Sequence, residues 1–452
     1  MLLNLKKIQN LIFLAPLFIL IPLWNIPHTI AGRYICEGLL LIAILAYRPN
    51  WKIFLNANKA LLLFFAYLLI QLLFFSTNYQ LAFSNFRSEW MHFILFSIIG
   101  AGAGLMLGKN SSLKILFALG IAFSIPLYIH LLLSLVKGIK LGSIPWGYWG
   151  INEIHGDLGY TALQASILLF TYYLYQEKSK RLITLALIAV CVSSPLLAAS
   201  RGGTGFVLIA LAFVSLSYFF LSDGAKISLQ NKVIGVLLVF VFIMGTYQIG
   251  VMSDPNRWGG VISRLSIGFE GNPSAVYCNG ITSLEDAIKS KGKMITPSIQ
   301  KGLDSVVDGD GARVMAARSG VALTLESPMG INQSKQAYQQ AIIKQCNGKP
   351  TIFISHTHNA WIDTALAIGI PGAFLLLITL LAYARRGYKA LKSTNSSISG
   401  FGMALFASSC IWITRGVLDS TQRDQMLEMQ AFILAFLLSI ILTKESESNK
   451  SA

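Results

Sequence analysis

Long, uninterrupted apolar runs recur along this chain and constrain it more than any other feature. A helix needs roughly 20 consecutive apolar residues to cross the hydrocarbon core of a bilayer. Runs of that kind lie at 8–27, 30–47, 58–75, 91–108, 114–136, 158–176, 182–200, 203–222, 232–251, 359–384, 400–418 and 425–443. They predict an all-α polytopic membrane protein with about twelve spans. Composition closes the alternatives. Only 12% of the 452 residues are charged, against about 25% in soluble domains, which excludes a soluble globular enzyme. The 27 Phe, 16 Tyr and 8 Trp exclude a disordered chain.

Lys and Arg gather on the cytoplasmic side of membrane proteins. Here the N-terminus carries Lys6 and Lys7. Alternate connections carry Arg48, Lys52 and Lys59; Lys109 and Lys114; Lys178, Lys180 and Arg181; Lys226 and Lys232; and Arg385, Arg386, Lys389 and Lys392. The intervening connections hold only Arg33, Arg87, Lys137, Lys140, Arg201, Arg415 and Arg423. Both termini are therefore expected in the cytoplasm. The net charge of +16 is a topology signal, and no nucleic-acid partner is expected. The first apolar run is too long for a cleaved signal and no small-residue cleavage site follows it, so it is expected to remain as a span.

One connection, residues 252–357, is long and polar and is expected outside. Connections of that length without a role are uncommon. Its segments 320–325 and 336–343 are expected to be helical, which makes it a small, partly folded cap. The organisation expected is nine spans over 1–251, the external loop domain over 252–357, and three spans with a short cytoplasmic tail over 358–452. No internal repeat is visible and the two halves differ in loop length, which argues against a flippase or transporter built from repeated halves. Cys36, Cys191 and Cys410 lie in spans as small buried hydrophobes. Cys278 and Cys346 share the loop; a disulfide and two free thiols both remain open.

Polar residues able to do chemistry concentrate at one face. Ser355-His356-Thr357-His358-Asn359 directly precedes a span. Histidine is one of the few groups that can act as a base near neutrality, and here it could reach both a lipid-linked substrate and an acceptor from water. The alternatives are metal ligation, for which no third ligand has suitable spacing, or interfacial histidines without a role. Asp363 lies about one turn into the same span and is expected to face the bundle interior. Gly369 and Gly372 are expected on one helix face, allowing close packing, with Pro371 bending the span. Arg201, in the tight turn Ala199-Ser200-Arg201-Gly202-Gly203, suits a phosphate; the other reading is a snorkelling anchor. Arg313, near the start of a helix running to about Leu325, suits an anion or is an ordinary surface arginine. Arg257 and Arg264 are further candidates, Arg415 and Asp419 are spaced to pair with each other, and His155 could line the same face.

The run His358-Asn359, nine residues, Gly369, two residues, Gly372 resembles the pattern of O-antigen ligases, O-antigen polymerases and related membrane oligosaccharyltransferases. The Ser200-Arg201-Gly202 turn and the long external loop fit the same family. So does the stretch from Arg313 through Ser327-Pro328-Met329-Gly330. The resemblance covers roughly residues 150–385; the first five spans match only as hydrophobic helices. It implies transfer of a glycan from an undecaprenyl-diphosphate carrier at the periplasmic face of the bacterial inner membrane. A ligase would give the glycan to a lipid A-core acceptor; a polymerase or a protein-directed enzyme would use the same donor with another acceptor. The implied roles are His358 as base and Arg201 and Arg313 on the donor diphosphate, with Arg264 competing for the second position. His356, Asn359, Gly369 and Gly372 would support them. The reaction would invert the anomeric centre, and no metal or other cofactor is implied.

Overall fold

The computed structural model describes residues 15–26, 28–109, 111–147, 155–175, 181–222, 228–258, 261–307 and 309–451. Among these residues every regular element is a helix, so the protein is an all-α polytopic membrane protein. Eight helices are long and apolar enough to cross a membrane: Ile30–Tyr47, Tyr79–Gly108, Lys114–Leu141, Arg201–Leu221, Lys232–Ser253, Ala360–Leu391, Ser396–Leu418 and Asp424–Ser448. A bent pair, Trp51–Ala57 and Lys59–Phe74, meets at 81° and would make a ninth. Of the expected first span, residues 8–14 and Pro27 lie outside the described residues.

Two expected spans, His155–Tyr175 and Arg181–Leu197, are helical but fall short of the same test. The first is short of apolar residues for a physical reason. It packs among four other bundle helices and buries Thr161, Gln164, Ser166 and Thr171 rather than presenting a wholly lipid-facing surface. Gln164 donates to Ser408 at 3.0 Å and accepts from the Trp412 indole at 3.1 Å. Thr161 and Ser166 donate to Leu158 O and Leu163 O, so apart from the Thr171 hydroxyl these polar groups lower the helix's hydropathy without being left unpaired.

The connection between Leu229–Ser253 and Ala360–Leu391 is a folded cap, more helical than its composition indicated. Its helices include Val261–Ile267, Pro273–Asn279, Thr282–Ser290, Pro297–Val307, Asp310–Glu326 and Ala337–Gln345. Several are short and amphipathic. Thr282–Ser290 buries Leu284 and Ile288, and Pro297–Val307 buries Leu303 and Val306. These stripes join Val276, Met315, Tyr338 and Ile342 in a core separate from that of the bundle. Cys278 and Cys346 are joined by a disulfide with their Cα atoms 5.1 Å apart, which closes a separation of 68 residues.

The expectation of a continuous helix face at Gly369 and Gly372 is corrected. Gly369 is non-helical, with φ 86° and ψ 161°, and breaks the span. The turn that ends the cap helix Asp310–Glu326 enters this break: Ile370 N–H donates to Pro328 O at 2.8 Å and Ile331 N–H to Leu366 O at 2.7 Å. A Cβ on Gly369 would lie 2.8 Å from the Met329 carbonyl carbon, so no side chain fits there. Gly372 instead lies against Tyr67, whose hydroxyl donates to Ile368 O at 2.8 Å. Gly369 seats the cap on the bundle, and Gly372 lets Tyr67 pack within it.

Candidate active site

The site forms where cap and bundle meet. Ser200 caps the Arg201–Leu221 helix, accepting from Gly203 N–H at 3.3 Å. Gly203 packs so closely on Gly159 of the neighbouring helix that a Cβ on Gly159 would lie 2.5 Å from it. Cap and close approach together fix the helix end and the arginine at its first position.

Arg201 meets Asp310 in the first turn of the cap helix. Its Nη2 donates to Oδ1 at 2.8 Å and its Nη1 to Oδ2 at 3.2 Å. Arg264 donates its Nε–H to Asp310 Oδ2 at 2.9 Å. Burial alone would push the Asp310 carboxyl up, but the hydrogen bonds from Arg201 and Arg264 outweigh it and hold the group below its ordinary value. A two-pronged arginine–carboxylate contact is among the stronger polar interactions in proteins, and this one ties cap to bundle. Arg313, one turn along the same helix, is exposed, and its side chain donates to no partner among the described residues.

The His-bearing segment is held by its neighbours. Thr357 N–H donates to Asp363 Oδ1 at 2.9 Å, and Ser420 Oγ–H to Asp363 Oδ2 at 2.7 Å. Asp363, expected to face the bundle interior, lines a small cavity with Glu89, Trp90 and Gln422 and ties the histidine turn to the turn before the last helix. Asn359 caps the Ala360–Leu391 helix, accepting from Trp361 N–H and Ile362 N–H. Between these anchors His358 adopts a left-handed φ of 55°, uncommon for a residue with a side chain. Its ring lies 4.2 Å from that of His356, centroid to centroid. His356 Nδ1 is paired with Ser355 Oγ at 2.7 Å, whereas among the described residues the His358 ring makes no hydrogen bond.

Burial, helped by His356 and the Arg313 charge, holds the His358 imidazole down at about 3. His356 is lowered too, by burial and then by the Arg423 charge. Both rings are neutral near pH 7, the form that can accept a proton.

Two cavities open here. One, about 810 Å³, reaches into the cap and is lined by Arg264, Lys301, Asp304 and Phe353 among others. The second, about 850 Å³, lies over the bundle against Asp157, Tyr160, Tyr247, Trp258, Arg415, Asp419 and Arg423. Arg201, Asp310, Arg313, Ser355 and His358 line both, forming the waist where the cavities meet.

Sequence reasoning thus named His358, Arg201 and Arg313, and the structure brings them together. Arg264 joins them through Asp310. The expected pairing of Arg415 with Asp419 is present: Arg415 is 1% exposed, reaches Asp419 at 3.5 Å, donates to Gly159 O at 2.9 Å and covers the Tyr160 ring at 3.6 Å. Burial would raise the Asp419 carboxyl, but the Arg415 charge and a hydrogen bond from Tyr160 hold it low. The side chains of His155 and Arg257 lie outside the described residues. Asp310 and Arg423 were missed. Asp310 is 109 residues from Arg201, and no local pattern announces the pair. Arg423 registered only as a lone basic residue in a sparse connection. The one available signal was its position directly before an apolar run. Among the described residues no group of His, Cys, Asp and Glu is arranged to hold a metal ion.

Fold and site together define a polytopic membrane protein with a basic, imidazole-bearing chamber between its bundle and its cap. Residues 184–377 match the family model described as O-antigen ligase. The matched segment contains Arg201, Asp310, Arg313, His358 and the Gly369 break, while Arg415, Asp419 and Arg423 lie beyond it. No curated protein matches the chain. The family supports glycosyl transfer of the ligase or polymerase type.

Proposed function

We propose that the protein is an O-antigen ligase. It would transfer a glycan from undecaprenyl diphosphate to a lipid A-core acceptor at the periplasmic face of the inner membrane, with both termini in the cytoplasm. The observation that carries this reading is the waist: two cavities of about 810 and 850 Å³ share one imidazole whose ring nitrogens have no partner among the described residues and one exposed guanidinium.

In this reading the acceptor hydroxyl approaches the anomeric carbon from one cavity while the donor diphosphate lies in the other. His358 accepts the hydroxyl proton as the new C–O bond forms. The bond from the anomeric carbon to the phosphate oxygen breaks with its electron pair, and carrier diphosphate leaves. A single displacement inverts the anomeric centre. Arg313 stabilises the charge on the departing diphosphate, and Arg201 adds its charge while its fork stays on Asp310. Preorganised positive charge of this kind is commonly a large contribution to catalysis. It also tunes the base. A diphosphate beside Arg313 offsets the charge that depresses His358, so the imidazole gains proton affinity when donor is bound.

Purified protein, lipid A-core and carrier-linked glycan give the test. His358→Ala is expected to cost at least about 10²–10⁴-fold in transfer while the protein still inserts and purifies as wild type. Wild-type turnover by this variant would remove the base assignment and leave His356 as the next candidate. Transfer to a second carrier-linked repeat, with none to core lipid, would make the protein a polymerase.

A further inference from the structure

Of the arginines that line the cavity over the bundle, two are committed. Arg201 spends its fork on Asp310, and Arg415 is locked between Gly159, Asp419 and the Tyr160 ring. Arg423 is different. It sits in the turn between Ser396–Leu418 and Asp424–Ser451, half-buried, and its side chain makes no hydrogen bond or ion pair among the described residues. Its Nε is shielded from solvent without a partner. Two nearby acidic groups have other contacts: Asp424 pairs with Lys335, and Glu89 accepts from Asp424 N–H through Oε1 and leaves only Oε2 unpaired. Ser420, three residues earlier, is bonded to Asp363 and so ties this turn to the histidine turn.

A buried donor without an acceptor is costly, and an arriving oxyanion removes that cost. A guanidinium also matches two phosphate oxygens through parallel donors. Resting on the ligase reading above, we propose that Arg423 is a further substrate-binding residue. It would grip the carrier diphosphate together with Arg313, so that the two uncommitted guanidinium groups flank His358. The bound group is a phosphate ester at the membrane face, and two sources could supply it: the polyprenyl diphosphate or a phospholipid headgroup. The inference is for the diphosphate, because Arg423 shares its cavity with both histidines and with Arg313.

The test uses full-length protein in phosphatidylcholine nanodiscs and measures the Kd for sugar-free undecaprenyl diphosphate. Arg423→Gln is expected to weaken binding about tenfold to a hundredfold and Arg423→Lys about tenfold, because Lys lacks the planar fork. Phosphatidylglycerol at equal mole fraction is expected to compete poorly, and lipid A-core affinity to stay unchanged. Wild-type affinity in both variants overturns the assignment. Strong competition by phosphatidylglycerol, lost in the variants, makes Arg423 a headgroup anchor and overturns it as well. If Arg423→Gln does not fold, the Lys variant decides alone, and wild-type affinity there refutes the grip. Failure of the wild type to bind the diphosphate sinks the donor itself, a result distinct from the others.

Discussion

Around Asp310 and around the turn at 419–423, the protein keeps arginines in opposite states. At Asp310 one buried carboxylate holds both Arg201 and Arg264, and the cluster joins bundle to cap. Along the same cavity wall, Arg313 and Arg423 make no ion pair with a carboxylate among the described residues. The residue type is the same, the setting at the membrane face is similar, and only the neighbouring acceptor differs. A paired arginine acts as a staple whose removal strands a carboxylate; an unpaired one is a standing offer to an anion. The difference assigns mechanical work to one pair and ligand work to the other.

Exchange to lysine separates these roles. The largest effect is expected from Arg313→Lys, which should lose about tenfold to a hundredfold in transfer, because charge remains but the planar fork does not. Its thermal midpoint should match the wild type, since the Arg313 side chain makes no hydrogen bond or ion pair among the described residues. Arg201→Lys should lose transfer over a similar or smaller range. It should also lower the thermal midpoint, because the two-pronged bond to Asp310 is gone and Lys cannot replace it. Equal midpoints for the two variants would dissolve the distinction between staple and ligand site. Full activity in Arg201→Lys would reduce that residue to an anchor, and full activity in Arg313→Lys with loss in an Arg264 variant would move the phosphate contact to Arg264.

A smaller effect tests the same contrast through pH. His358 is depressed by burial, His356 and Arg313, so in the free protein it stays unprotonated well below the ordinary histidine range. The profile of kcat/KM, which reports the free enzyme, should therefore show no acid limb near 6.5. Replacing Arg313 by Gln removes a positive neighbour, lets the ring take a proton more easily, and should move the limb upward. A limb near 6.5 in the wild type would mean that His358 is not the base or is not depressed.

The bundle was legible because span length and loop charge are local properties, and each apolar run could be read without knowing its neighbours. The break at Gly369 was not, because its cause lies about 40 residues away in sequence, in the turn at 328–330 that fills it. The cap was legible as a partly folded unit through its helical segments at 320–325 and 336–343, but its other helices were not. Helices such as Thr282–Ser290 are short, and their two or three buried residues disappear in a polar average. Within the site, His358 and Arg201 could be found because each stands next to a span end. Asp310 and Arg423 could not, since what distinguishes them is a partner gained or lacking in three dimensions. Asp363 was noticed as a charge inside a span, but its service to Thr357 and Ser420 depends on two turns that converge only after folding.

The most direct measurement is a cryo-EM map of the full-length protein with undecaprenyl diphosphate bound. The two phosphates are expected against Arg313 and Arg423 beside His358, with Arg201 and Arg264 still joined to Asp310. Phosphates lodged in the cap cavity against Arg264 and Lys301, with Asp310 released, would contradict the division between stapling and ligand-binding arginines.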